Sequence, residues 1–349
     1  MITPYQKADV SFRKIKKLDE QGCFSEVYLA HDENLDHDLV IKEIIKKPNQ
    51  DKDTYFSEAR LLYKNAHPNI VRVQYAAEDS DNIYIAMPYY KNGSINKKME
   101  ERNLTTREII RYAIQFIGGL NHIHTNKLIH FDIKPNNIMI SNRDEAMLAD
   151  FGLSRLANDI NRAMPDGYYA YVQHTPPERF TSIKGSKFNF TYDIYQVGGT
   201  LYRMCLGSRR YAKEADSYPS NTDLATAIVN GKFPSKKYPE HIPKKLKDII
   251  NKCLMHDPNE RYQSTLDILN DLSSIKDGKH LDWSEVSTSD DLYTWKRCDE
   301  GATIVVEYNP ITSTTSGKRI GQDGNKRNIS KLKTSNCTSH SVYKLLKDN

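Results

Sequence analysis

Apolar positions in the first ninety residues fall in short runs of the strand type. "EVYLAHD", ending at Asp32, and "DLVIKEI", ending at Ile44, are separated by the polar turn "ENLDH". "TYFSEARLLYKNAH" then carries a helical stripe through Phe56, Ala59, Leu62 and Ala66. "IVRVQYAAE" and "NIYIAMPYY" flank "DSDN" and predict a hairpin. Beyond Gly93 the period lengthens. Thr105-Thr106-Arg107-Glu108 predicts a helix cap, and Ile109, Ile110, Ala113, Ile114, Phe116, Ile117, Leu120 and Ile123 predict one apolar face. The Gly118-Gly119 pair inside that helix lowers its propensity and predicts close packing. Further helices are expected at 191–206, 221–230, 243–255 and 264–274. The order is a small, mostly β lobe (10–90) followed by a larger helical lobe (91–275), an α+β arrangement. From 276 the chain is rich in Ser, Thr, Asn and Lys, but "DLYTWKR" and "ATIVVEYNP" predict paired strands and "SHSVYKLLKD" a short helix. A small accessory module and an extended linker both fit this segment.

Composition narrows the class. A chain of 349 residues with 38% hydrophobic and 27% charged positions can bury a sizeable core in about two domains. It has no apolar run near the ~18 residues of a membrane span. Its N-terminus lacks the apolar stretch of a secretory signal, so a cytoplasmic location is expected. The five cysteines include no C-x-x-C pair, which points to reduced thiols and away from a zinc site or disulfide framework. Residues 301–349 hold eight Lys/Arg against three acids, which is the whole formal excess of +5. Any acidic-partner argument therefore concerns the C-terminal extension, and a nucleic-acid role is disfavoured by the modest charge and few aromatics.

Candidate chemistry concentrates in "LIHFDIKPNNIMI", residues 128–140, where Asp132, Lys134 and Asn137 share a Pro135-interrupted loop between apolar runs. Asp150-Phe151-Gly152 follows. Upstream, Lys42 lies within an apolar strand and needs a partner, for which Glu58 on the next predicted helix is a candidate. Each group alone fits an ordinary solvated turn; their order and spacing together do not.

That series resembles the eukaryotic-type protein kinase family over roughly residues 10–275. The resemblance implies a two-lobed fold and phosphoryl transfer from ATP with Mg²⁺ to a protein hydroxyl, with autophosphorylation as a further expectation. It makes Lys42 the phosphate-anchoring lysine and Glu58 its holder. Asp132 becomes the base that orients the substrate hydroxyl, Lys134 the group that neutralises the moving phosphate, and Asn137 and Asp150 the metal ligands. Gly22 and Val27 would cover the phosphates, Met87 would be the gatekeeper, and Pro88 and Tyr90 would offer backbone groups to adenine. Pro176-Pro177-Glu178 would end the activation segment, with Arg261 in "DPNERY" pairing Glu178, and Asp193 and Gly198 in "DIYQVG" would sit on the buried large-lobe helix. The glycine loop departs from the pattern: "EQGCFSEV" keeps only Gly22, and Glu20 brings a carboxylate toward phosphates. Phe131 stands where the family most often has an arginine that clamps a phosphorylated activation loop, so activity independent of that clamp is expected. Lys134 favours the serine/threonine class. Tyr171 occupies the position of its usual threonine, within a "GYYAY" cluster of packing residues or autophosphorylation sites, and this keeps tyrosine or dual specificity open. A catalytically inert scaffold acting through the extension is the other alternative.

Overall fold

The structure is a computed structural model, and it describes residues 10–19, 25–46, 52–157, 163, 171–183, 185–289 and 292–349. Strands β1 (Phe12–Asp19), β2 (Ser25–Asp32) and β3 (His37–Ile45) precede helix α1 (Lys52–Lys64), and β4 (Tyr75–Glu78) and β5 (Asn82–Pro88) follow it. They form one antiparallel sheet in the order β1-β2-β3-β5-β4. The period-two pattern of β3 buries Leu39 and Ile41 on one face with Ala30 and Ala86. On the other face Val27, Lys42 and Ile85 align across β2, β3 and β5. Asp32 is buried at the β2–β3 turn, where its carboxylate accepts the Asn34 and Leu35 amides and the Tyr75 hydroxyl at 2.7–3.0 Å.

The second lobe contains α2 (Ile95–Glu101), α3 (Thr106–Thr125), the short strands β6 (Leu128–Ile129), β7 (Ile138–Ile140), β8 (Ala146–Leu148) and β9 (Arg155–Leu156), then α4 (Pro177–Thr181), α5 (Thr191–Ala215), α6 (Asn221–Val229), α7 (Lys244–Cys253) and α8 (Thr265–Ser273). Thr105 and Glu108 close the expected capping box on α3. The predicted apolar face is narrower than its sequence suggested. Ile109, Ala113, Phe116, Ile117, Leu120 and Ile123 are buried, whereas Ile110 is half-buried and Ile114 exposed, because helical geometry carries them off that stripe. Of the two glycines only Gly119 permits close packing: a Cβ there would lie 2.7 Å from the Asn69 carbonyl, and nothing lies near Gly118. Helix α5 breaks at Gly207 (φ 74°), beside which the Asn103 side chain leaves no space for a Cβ. Among the described residues no helix is long and apolar enough to cross a membrane.

Residues from 284 form a consecutive antiparallel sheet, β10 (Ser284–Ser289), β11 (Leu292–Asp299), β12 (Ala302–Asn309), β13 (Thr314–Gly321) and β14 (Lys326–Asn328), followed by α9 (Ser339–Asp348). The face carrying Trp295, Ile304, Val306 and Tyr308 packs with Trp283, Leu332, Val342 and Leu346 in a core of its own. This unit is joined to the helical lobe by polar contacts. The Trp295 indole N–H donates to His241 Nδ1 at 3.1 Å, Asn103 donates to the Glu285 carbonyl at 3.0 Å, and Arg210 pairs with the Glu285 carboxylate at 2.8 Å. Arg107 binds Asp277 and Asp282 at 2.6 and 2.5 Å.

Two groups at this junction titrate in opposite senses. Burial lowers His241 to a pKa of about 3, and burial raises Glu285 to about 7 against the pull of Arg210. His241 is therefore held neutral, and its contribution is lost as pH falls from its ordinary 6.5 toward 3. Glu285 contributes most below its ordinary 4.5, and that contribution is lost as pH rises through 7. The two slopes oppose each other between pH 4.5 and 6.5. Glu285→Gln should unmask the His241 slope, so that acidification from about pH 6.5 to about 5 destabilises the variant more than the wild type, by up to ~1.4 kcal/mol per pH unit. Thermal melts across that range check it, and parallel melting curves for the two proteins would refute the assignment.

Candidate active site

The catalytic-loop candidate begins where β6 ends. Phe131 adopts φ 66°, and the loop is held in that course by a polar row on α5. The buried Asp193 carboxylate accepts the His130 and Phe131 amides, each at 2.8 Å, and also contacts His124 Nε2 at 2.8 Å. Gln196 accepts the Ile133 amide at 3.0 Å and donates to the Phe131 carbonyl at 2.9 Å, and the Thr200 hydroxyl donates to the Ile133 carbonyl at 3.3 Å. Buried backbone groups that would otherwise be orphaned are thus satisfied by side chains, which fixes the loop. Gly198 lies on this same helix, at a point where a Cβ would meet Cys253 and Leu254 within 2.8 Å.

The pinned loop aims three groups at one place. Asp132 Oδ2 accepts from Lys134 Nζ at 2.8 Å and from Asn137 Nδ2 at 2.7 Å, and Asn137 Nδ2 also donates to the Asp132 carbonyl at 2.9 Å. His130 lies behind them, fully buried, with its Nδ1 facing the Asp132 amide at 3.3 Å and its Nε2 facing the Ala149 carbonyl at 3.2 Å. Burial lowers its pKa, so the ring is neutral, accepting at Nδ1 and donating at Nε2. The Phe151 ring packs edge-on against it at 4.8 Å.

Asp150 follows β8 with φ 59°, and its carboxylate meets Lys42 Nζ at 3.3 Å. This ion pair bridges the two lobes, and the Lys42 ammonium holds the Asp150 carboxyl well below the usual carboxylate range. Val27, directly opposite Lys42, and Met87, opposite Val40, lie on the same sheet face and are half-buried. Pro88 ends β5, and Tyr90 lies just beyond it with its phenol pKa raised by burial. Glu58 is on α1, but its side chain lies outside the described residues, as do Gly22, Glu20, Cys23, Tyr168 and Tyr169. Glu178 and Arg261 do pair, through two contacts at 2.7 and 2.8 Å. Arg261 also donates to the Thr191, Met255 and His256 carbonyls. Phe131 is buried with Ile129, Ala163, Phe188 and Tyr192, its ring edge-on to Tyr192 at 5.0 Å.

Sequence reasoning missed Gln196, Thr200 and His124 as supports of the loop. A signal was present: Asp193, Gln196 and Thr200 recur at helical spacing on one face of a segment that is otherwise apolar, where polar groups need buried partners. For a metal, no cluster of three or more His, Cys, Asp or Glu occurs among the described residues. One carboxylate (Asp150) with the Asn137 amide oxygen does suit Mg²⁺, which keeps several waters and takes further oxygens from substrate phosphates.

A two-lobed fold with an interlobe lysine–aspartate pair above a pinned Asp-x-Lys-x-x-Asn loop defines a phosphoryl-transfer scaffold. The sequence profile of the protein kinase domain matches residues 12–271, and the chain belongs to that family. It is 29% identical over 267 residues to a probable serine/threonine-protein kinase of Clostridium acetobutylicum, covering 74% of this chain and 40% of the relative. It is 26% identical over 275 residues to the serine/threonine-protein kinase PrkC of Bacillus subtilis, covering 77% and 41%. Against the mouse serine/threonine-protein kinase Nek3 the identity is 28% over 248 residues, covering 70% and 46%. The chain therefore spans less than half the length of these relatives.

Proposed function

We propose that this chain is an ATP- and Mg²⁺-dependent protein kinase that phosphorylates serine or threonine hydroxyls. The observation that carries the proposal is the convergence of Lys42 from β3 with Asp132, Lys134, Asn137 and Asp150 from the helical lobe. Relatives named as serine/threonine kinases support the hydroxyl class. Lys42 anchors the nucleotide phosphates, and Asp150 and Asn137 hold the cation. Bound Mg²⁺ would supply charge neutralisation on the phosphate oxygens. Asp132, held by Asn137 and Lys134, orients the attacking hydroxyl and takes its proton, while Lys134 lies within reach of the charge that develops on the transferred group. The apolar seat of Phe131 offers no cation to a phosphorylated activation segment, so this kinase is active without such a clamp.

The test is transfer from γ-labelled ATP to the chain itself and to a generic protein substrate, followed by phosphoamino-acid analysis. Phosphoserine or phosphothreonine is expected. Phosphotyrosine alone would reassign the specificity, and nucleotide-dependent thermal stabilisation without any transfer would favour an inert scaffold.

A further inference from the structure

The basic character of the C-terminal unit is concentrated at one end of its sheet. Arg319 on β13 and Arg327 on β14 are directly opposed cross-strand partners, and both are exposed. Lys326, Lys331 and Lys333 flank them, also exposed. None of these five has a carboxylate partner among the described residues; Lys318, one position before Arg319, is the neighbour that does, pairing with Glu307 at 3.2 Å. The local acid, Asp323, is turned toward Asn325, whose amide and Nδ2 it accepts at 3.1 and 2.5 Å.

Like charges facing each other across a strand pair are destabilising, and here the backbone that carries them is held in register. The segment that carries them is fixed by Leu332, which is buried against Gly317 at a point where a Cβ on Gly317 would come within 2.4 Å of it. It is also fixed by the Ile329 amide donating to the Gly317 carbonyl at 2.9 Å and the Thr315 hydroxyl donating to the Leu332 carbonyl at 2.9 Å. An apolar anchor thus holds an unneutralised cationic surface in place, which is the arrangement expected of a surface preorganised for an anion.

The anion's class follows from two neighbouring features. Strand β14 is the last of the sheet, so its outer edge presents unpaired backbone donors and acceptors. The unit's rings are elsewhere: Trp283, Trp295 and Tyr308 are in the core, Tyr293 packs against it and Tyr343 lies against Lys247, so no stacking platform adjoins the patch among the described residues. We propose that the β13–β14 edge docks an extended, carboxylate-rich segment of a partner protein. That segment adds as a strand to β14 and places alternate acidic side chains on the Arg319–Arg327 face.

Full-length protein is titrated with labelled poly-L-glutamate by fluorescence anisotropy, beside a labelled single-stranded DNA. Binding of the polypeptide should weaken with added salt and fall by about tenfold or more in Arg319→Ser/Arg327→Ser/Lys331→Ser. That variant should melt no lower than wild type, since repulsion is removed, while Lys344→Ser/Lys347→Ser on α9 should bind as wild type. Equal binding by the triple variant, or no binding by wild type, overturns the proposal. Tighter binding of DNA that is lost in the same variant also overturns it and assigns the patch to nucleic acid. No ATP enters the assay, so its outcome is separate from that of the phosphoryl-transfer test.

Discussion

Asp132→Asn should lower the rate of phosphoryl transfer by about 10² to 10⁴-fold and leave both nucleotide binding and the melting temperature close to wild type. The exchange is nearly isosteric, and the surrounding loop does not depend on the carboxylate for its course. His130, Phe131 and Ile133 are held by Asp193 and Gln196 on α5, and those bonds survive the change. What is lost is the negative charge of the carboxylate, whose Oδ2 receives Asn137 Nδ2 at 2.7 Å and Lys134 Nζ at 2.8 Å. An asparagine can present its one carbonyl oxygen to these donors, but it cannot take a proton from a substrate hydroxyl. Single-turnover transfer measured beside the ATP-induced shift in melting temperature separates the two effects. A variant as fast as wild type would remove Asp132 from the chemistry. One that lost the nucleotide-induced shift would make its role one of binding.

The lobes were legible because periodicity changes sharply near Gly93, from strand-like runs to the helical stripe of α3. The candidate catalytic groups were legible for a different reason: Asp132, Lys134 and Asn137 are spaced by local loop chemistry, which a linear sequence preserves. What the sequence hid was long-range support. That Asp193 reaches back to two amides more than sixty positions earlier depends on where α5 packs, and no local pattern encodes it. Strands β13 and β14 were missed because Thr, Ser, Gly and Lys dominate them and carry little period-two signal. β13 is a strand because β12, apolar on its inward positions, pairs it in register from Ala302–Gly321 to Asn309–Thr314, and β14 pairs with β13 in turn. Lys42 shows the limit on partners. Asp150 of the other lobe, 3.3 Å from Lys42, was not read from the sequence as its partner, while the side chain of Glu58, the candidate the sequence did offer, lies outside the described residues.

Trp295→Ala should destabilise the C-terminal unit by about 3–5 kcal/mol and uncouple it from the helical lobe. Trp295 is completely buried, lies opposite Val306 across β11–β12, and stacks on Tyr293 at 6.3 Å with the planes 15° apart. Its indole N–H crosses to His241, so truncation opens a cavity in one core and orphans a buried acceptor belonging to the other. Trp283→Ala supplies the comparison, because that equally buried ring bonds the Leu346 carbonyl at 2.8 Å within its own unit. Both truncations should loosen the sheet, but only Trp295→Ala should also lower the stability of the helical lobe, read as a shift in the ATP-stabilised melting transition. Trp295→Phe sharpens the distinction. It keeps most of the ring volume and removes the N–H, leaving His241 Nδ1 unsatisfied at a cost of about 1–3 kcal/mol. If Trp295→Phe melts as wild type while Trp295→Ala does not, packing alone joins the two cores and the indole–imidazole bond contributes nothing to their coupling.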